Sequence, residues 1–210
     1  MQASAKILAK FATALIILTT SVVAQPVTYT NSSDFFNAIS SSNYTENYNS
    51  FPYQASPVPP QNFSSNGFSY TALITNGNFY MINNADRWLS TFDVTPIVFT
   101  NFSVNVTALG GNFFATDFFE AYTNTSISLS FLFADSTTFS TNYLPGSPSS
   151  YFGLIYTTNI ASLTISNVPP AAEFMTVNNL TVAVPEPSTY ALLGLAAAGL
   201  AGYVIRRRRS

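Results

Sequence analysis

The chain contains no cysteine and no histidine. Without cysteine there is no disulfide framework, no thiolate metal site and no cysteine nucleophile. Without histidine the commonest general base and the commonest metal ligand are both missing. Serine–histidine and cysteine–histidine catalytic arrangements are therefore unavailable. Charge is scarce as well. Only 8% of the 210 residues are charged, against about 25% in an average soluble chain. Polarity comes instead from serine, threonine and asparagine, which together number 70. A surface solvated by hydroxyls and amides suits a β-rich extracellular module better than a helical enzyme, whose exposed faces carry Lys and Glu. Hydrophobic residues at 47%, aromatics at 15% and 19 phenylalanines supply material for a packed core.

The few charges are unevenly placed. Lys6, Lys10 and Arg206, Arg207, Arg208 and Arg209 lie at the two ends, and Arg87 alone lies between them. With nine acidic residues against that one cation, the stretch between Lys10 and Arg206 carries a charge of −8. Such a surface repels phosphate backbones, so no nucleic acid partner is expected.

Both ends read as targeting segments. Lys6 and Lys10 precede the apolar run Phe11 to Leu18, and Val22-Val23-Ala24 places small residues before a cut near Gln25. This is the layout of a secretory signal peptide over residues 1–24, which implies the Sec export machinery. At the other end, Val184-Pro185-Glu186-Pro187-Ser188-Thr189 precedes an apolar stretch from Tyr190 to Ile205 and then the four arginines. The stretch carries Gly194, Gly199 and Gly202. As a helix, Tyr190 to Ile205 is about 24 Å long, a little short of a hydrocarbon core, and Ser188 and Thr189 extend it. A transmembrane helix is expected over about 189–205. The arginines resist translocation and act as a stop-transfer signal that stays cytoplasmic. The prolines keep the backbone extended just outside the membrane, where a membrane-embedded peptidase could read it.

This combination of Val184 to Thr189, a Gly-rich span and an arginine cluster resembles the PEP-CTERM sorting tail of bacterial surface proteins. The same tail is also labelled an ice-binding-protein C-terminal domain, a label that describes the sorting segment. The resemblance implies exosortase as a partner and cleavage of the tail. It also implies export through the inner membrane, with a membrane-anchored precursor that ends at the cell surface or outside the cell.

Between the tails, residues 25–183 read as one domain of mostly short strands. A short helix is expected near Ser32 or Ser33, with Asp34 in its first turn and Phe35, Phe36 and Ile39 at helical spacing. Asn43 to Pro60 reads as loop with a strand near Tyr48 to Phe51. Strands are expected at Phe68 to Ile74, Phe79 to Ile82 and Trp88 to Asp93. The cleanest alternation is Phe102, Val104, Val106 and Ala108, closed by Gly110-Gly111 as a turn. Ile127, Leu129, Phe131 and Phe133 alternate in the same way. Tyr151 to Tyr156, Ala161 to Ile165 and Leu180 to Val184 follow the loop Pro145-Gly146-Ser147-Pro148. The expected fold is an all-β antiparallel β-sandwich of jelly-roll type.

Parts of the body also resemble a globular ectodomain often joined to PEP-CTERM tails. The pieces are Trp88 to Thr91, Val106 to Asp117, Phe152-Gly153, Ser162 to Ile165 and Val177 to Val182. The last piece more often has Asp before Asn-Leu, where this chain has Asn178. The resemblance implies a fold and no activity.

Chemistry is thin. Asp117 and Glu120, close to Gly110-Gly111, are candidate calcium or ligand-binding residues, because calcium takes carboxylate and carbonyl oxygens; no EF-hand spacing exists, and no other cofactor is implied. A paired-carboxylate glycosidase would draw on Asp117, Glu120, Asp135 and Glu173, and nothing in their spacing selects a pair. Trp88, Tyr80 and Tyr122 are candidate sugar-stacking rings. Arg87 is expected to pair with Asp86 or another acid nearby. Asn-x-Ser/Thr sequons at Asn31, Asn43, Asn62, Asn101, Asn105, Asn124 and Asn179 matter only in a host that glycosylates them. The expected role is a non-catalytic surface or matrix protein associated with exopolysaccharide or biofilm. A carbohydrate- or calcium-binding module is the alternative, and a hydrolase the third reading.

Overall fold

The computed structural model describes residues 25–83, 85–103, 106–169 and 171–185. The expected signal peptide, the expected membrane span, Glu186 to Thr189 and the arginine cluster lie outside the described residues. Among the described residues no helix is long and apolar enough to cross a membrane.

The chain opens with β1 (Val27–Tyr29), α1 (Ser32–Ala38) and β2 (Ile39–Glu46). Asn31 caps the helix, its side-chain oxygen accepting from the Ser33 amide at 2.8 Å. The cap thus falls one residue before the serines expected to supply it, and Ile39 already belongs to β2. Next come β3 (Gln61–Ser65), β4 (Phe68–Ile74), β5 (Phe79–Ile82), β6 (Trp88–Thr91) and β7 (Ile97–Thr100). The chain continues through β8 (Ala108–Thr116), β9 (Tyr122–Thr123), β10 (Ile127–Phe133) and β11 (Thr138–Tyr143). It closes with β12 (Phe152–Ile155), β13 (Ile160–Asn167) and β14 (Phe174–Pro185).

The strands form two antiparallel sheets. The larger runs β1-β12-β8-β14-β6-β5, with β2 also on β14 and β9 on β8; the smaller runs β11-β10-β13-β7-β4-β3. Alternation explains the two layers. In β10, Ile127, Leu129, Phe131 and Phe133 are buried while Ser128 and Ser130 face outward. Phe113 and Ala115 of β8 and Met175 and Val177 of β14 meet these side chains in one shared core. The β3–β4 hairpin turns on Asn66-Gly67, both at positive φ (53° and 80°). That is the geometry of a two-residue turn matched to strand twist.

Three expectations need correction. The strand sought at Tyr48 to Phe51 is a turn, and the strand lies upstream at Ile39–Glu46. That Ser-rich segment has no apolar rhythm of its own and takes its conformation from pairing with β14. Phe102, Ser103, Val106 and Thr107 are outside any strand, while Val104 and Asn105 lie outside the described residues. Gly110-Gly111, expected as a turn, instead sits within β8. The Tyr151 ring covers Gly110, where an added Cβ would lie 2.8 Å from Tyr151 Cζ. A second glycine requirement sits beside it. A Cβ on Gly153 would lie 2.5 Å from Cδ2 of Phe35, the buried face of α1.

β14 is the spine of the larger sheet. One edge pairs with β8 from Phe174 to Ala183. The other edge pairs with β6 at Thr176 and Val177, and with β2 from Leu180 to Pro185. Val27, Ile155, Ala108 and Ala183 are successive cross-strand partners. The start of β1 and the end of β14 therefore leave the sheet at the same end, about 14 Å apart at three strand spacings.

Candidate functional site

The outer face of the larger sheet is divided in two. At the end where β1 starts and β14 finishes, α1 covers it, and Phe35, Ile39, Ala108, Tyr151 and Ala183 form a second small core. At the opposite end the face is open. A polar row separates the halves. Asn178 donates to Asp86 Oδ2 at 2.6 Å, and Asn179 donates through Nδ2 to Asn112 Oδ1 at 3.0 Å. Asn112 in turn donates to the carbonyls of Ser149 and Ser150 at 2.9 and 3.1 Å. The register of β14 slips between Asn178 and Thr181, and Asn179 takes φ 51°. Asparagine tolerates that left-handed conformation better than most residues.

The open half holds a cleft of about 220 Å³. Its floor crosses three strands. Ser90 of β6 and Thr116 of β8 line it, and fully buried Thr176 of β14 joins them from beneath in one hydroxyl chain, with oxygen separations of 2.9 and 3.0 Å. Ser90 also reaches the Met175 carbonyl at 3.3 Å. Tyr80, Phe92, Phe118 and Phe174 supply aromatic walls. Replacing Thr176 with the near-isosteric valine will cut the hydroxyl chain at its centre. The expected cost is about 1–2 kcal/mol, read as a thermal midpoint lowered by about 2–8 °C in a domain of this size.

Asp117 and Glu120 flank the cleft together. Both are anchored by the protein. Asp117 Oδ1 accepts the amides of Phe119 and Ala121 at 2.8 and 2.9 Å, which shapes the loop after β8. Glu120, at φ 63°, accepts from Tyr53 Oη at 3.3 Å and from the Asn83 amide at 3.4 Å. Asp117 Oδ2 and Glu120 Oε1 accept no hydrogen bond among the described residues. The loop thrusts Phe118 and Phe119 into solvent, 75% and 84% exposed. Among the described residues there is no group of three or more carboxylates placed to hold a metal ion.

The other predicted residues are dispersed. Asp135 sits in the β10–β11 turn of the smaller sheet, accepting from the Thr137 hydroxyl at 2.6 Å, the Thr137 amide at 3.0 Å and the Thr158 hydroxyl at 3.2 Å. These bonds, the Thr137 hydroxyl first, hold its carboxyl below the usual range. Their contribution to stability is present above the ordinary carboxylate pKa and is lost as pH falls through the lowered value. In an NMR titration, Thr137→Ala will move the Asp135 midpoint upward; an unmoved midpoint would show that the turn does not control it. Glu173 lies in the loop before β14, its carbonyl taking a bond from Asn167 at 2.8 Å.

Of the three candidate stacking rings, Tyr80 alone lines the cleft, edge-on to Phe92 at 5.7 Å. Trp88 packs edge-on against buried Phe114 at 4.9 Å, and Tyr122 flanks Phe114 on the same face at 6.3 Å while donating to the Pro145 carbonyl. Asp86 accepts from Asn178. Arg87 donates to the carbonyls of Phe51 and Asn83 and lies 5.6 Å from the Tyr53 ring. The hydroxyl floor and the exposed Phe118 were not singled out in the sequence. The positive hint was Phe118-Phe119 beside two acids, an apolar pair in a segment without strand alternation.

The described domain is an all-β protein of two antiparallel sheets around one core. Residues 183–209 match the family described as PEP-CTERM protein-sorting motif, so the chain carries a PEP-CTERM sorting motif. No curated protein and no solved structure matches the chain.

Proposed function

We propose that this is a non-catalytic cell-surface or extracellular-matrix protein, associated with exopolysaccharide or biofilm after exosortase has removed its tail. The observation that carries this reading is the sorting motif at residues 183–209. In this scheme residues 1–24 direct Sec export, a helix over about 189–205 holds the precursor in the inner membrane, and Arg206 to Arg209 stop transfer. The body contributes little for catalysis: no histidine, no cysteine, and two cleft carboxylates already bonded to backbone amides or a tyrosine. Mass spectrometry of the mature protein tests the sorting step. A chain that keeps Arg206 to Arg209 in exosortase-positive cells would refute it.

The jelly-roll form of the sandwich belongs to the same reading. The chain passes in order through β6, β7, β8, β10, β11, β12, β13 and β14. The larger sheet contains the order β6-β14-β8-β12 and the smaller β7-β13-β10-β11. Two interlocked Greek keys give that arrangement.

A carbohydrate- or calcium-binding module is the second reading, favoured by the cleft. Flat rings beside hydroxyls and a free carboxylate oxygen suit a sugar, whose apolar ring face stacks while its hydroxyls bond. A paired-carboxylate hydrolase would use the same two acids. Because Phe118 is 75% exposed, Phe118→Ser will leave the melting temperature unchanged while reducing retention on a glycan array by on the order of tenfold, the loss of about 1.4 kcal/mol. Equal retention of both proteins, or no glycan retained by either and no calcium-dependent shift in melting, would count against this reading.

A further inference from the structure

We propose that the sorting motif begins inside the folded domain, and that Val184 and Pro185 must leave the sheet before the tail can be cut. The proposal rests on the exosortase reading of residues 183–209. Val184 packs against the main core, and Pro185 stands opposite Ile39 of β2. Ala183, just before them, lies in the small core under α1 with Phe35 and Ile39. No linker separates the domain from the motif, because β14 runs to Pro185, the first proline of Pro185-Glu186-Pro187.

The geometry places this end of the sandwich against the membrane in the precursor. From Pro185 to Tyr190, where the apolar stretch begins, there are five peptide steps, which reach at most about 18 Å when fully extended. The start of β1 lies at the same end, so a signal peptide still attached would tether the domain from that side too. Val27, at this end, is 53% exposed and offers apolar surface to a lipid boundary. The cleft, by contrast, borders Phe174 and Thr116. It therefore faces away from the membrane, about nine strand residues or 30 Å further along β14.

A peptidase reads an extended segment through its backbone edges as well as its side chains. In the sheet one edge of this segment is already taken by β2. The motif is therefore offered in the locally opened state, in which the end of β14 peels from β2 and α1 while the rest of the strand stays on β8. Opening the end of one strand is a sub-global event and leaves the core intact.

Two full-length variants test this in exosortase-positive cells, with tail loss followed by pulse-chase and mass shift. The first inserts a flexible Gly/Ser segment of about ten residues between Ala183 and Val184, which keeps the motif whole and lifts it out of the sheet. It should be processed faster than the wild type by on the order of tenfold, equivalent to removing about 1.4 kcal/mol of opening cost. The second, Asn43→Cys with Ala183→Cys, joins two residues that are directly opposite in the register, a spacing that suits a disulfide. It should be processed slowly and recover when reductant is added. Wild-type and insertion chains processed at equal rates would overturn this inference and leave the sorting reading standing. Tails retained by both would overturn the sorting reading, and this inference with it.

Discussion

Gly153→Ala will loosen the N-terminal helix from the sheet. The new Cβ would sit 2.5 Å from one Phe35 ring carbon and 3.0 Å from two others. Phe35 is fully buried and is the one buried residue of α1. The ring cannot turn aside cheaply, because Tyr29 and Tyr151 flank it at 5.8 and 5.5 Å between centroids. Overpacking of this kind costs about 1–3 kcal/mol, a melting midpoint lower by about 3–10 °C for a domain of this length. A double-mutant cycle isolates the cause. Phe35→Ala alone should cost about 3–5 kcal/mol, and adding Gly153→Ala to it should cost close to nothing. Additive costs would show that the Gly153 position matters for some reason other than the ring. Since α1 also covers Ala183, the same substitution is expected to expose the end of β14 more often.

Asn178→Asp will place two carboxylates against each other in the polar row. Asn178 is 4% exposed, and its amide donates to Asp86 Oδ2 at 2.6 Å. A carboxylate there removes the donor and adds a like charge in a part-buried pair that solvent screens only incompletely. The expected loss is about 3 kcal/mol, comparable to leaving a buried charge uncompensated. Calcium should recover part of it, since two facing carboxylates and nearby amide oxygens are what that ion selects. Thermal melts of both proteins with and without calcium give the answer. A variant as stable as the parent in chelator would show that Asp86 is not held at Asn178 in solution. The pairing also gives a physical meaning to asparagine at this position, where the resembling ectodomains more often carry Asp: beside Asp86, the amide supplies the donor that a carboxylate lacks.

Both predictions concern contacts that the linear order of residues conceals. Gly110-Gly111 looks like a turn because two glycines after an alternating run usually end a strand. Here they continue β8, because Tyr151, forty residues on, lies across Gly110. β2 is Ser-rich and shows no alternation, and it is a strand because β14 offers it an edge. Conversely β4, β5 and β10 were legible in the sequence, since each buries one face or both against the core and carries the apolar residues that do so.

The cleft shows the same division. Its acids were visible as residue types, and Asp117 and Glu120 were singled out together. Its floor was not visible. Ser90, Thr116 and Thr176 are unremarked among 70 serines, threonines and asparagines until strand register brings Ser90 and Thr116 each within 3.0 Å of Thr176. Trp88 and Tyr122 are half-buried and pack around Phe114.

By itself the sequence determined the sorting signal and the class of chain that carries it. Charge clusters, proline spacing and apolar length act locally, so they can be read in order along the chain. Tertiary structure alone decided that the motif starts within a strand, that β1 begins and β14 ends at one end of the sandwich, and that the aromatic cleft opens at the other. Those relations depend on which strands pair and in what register, and pairing is set by contacts between residues far apart in sequence.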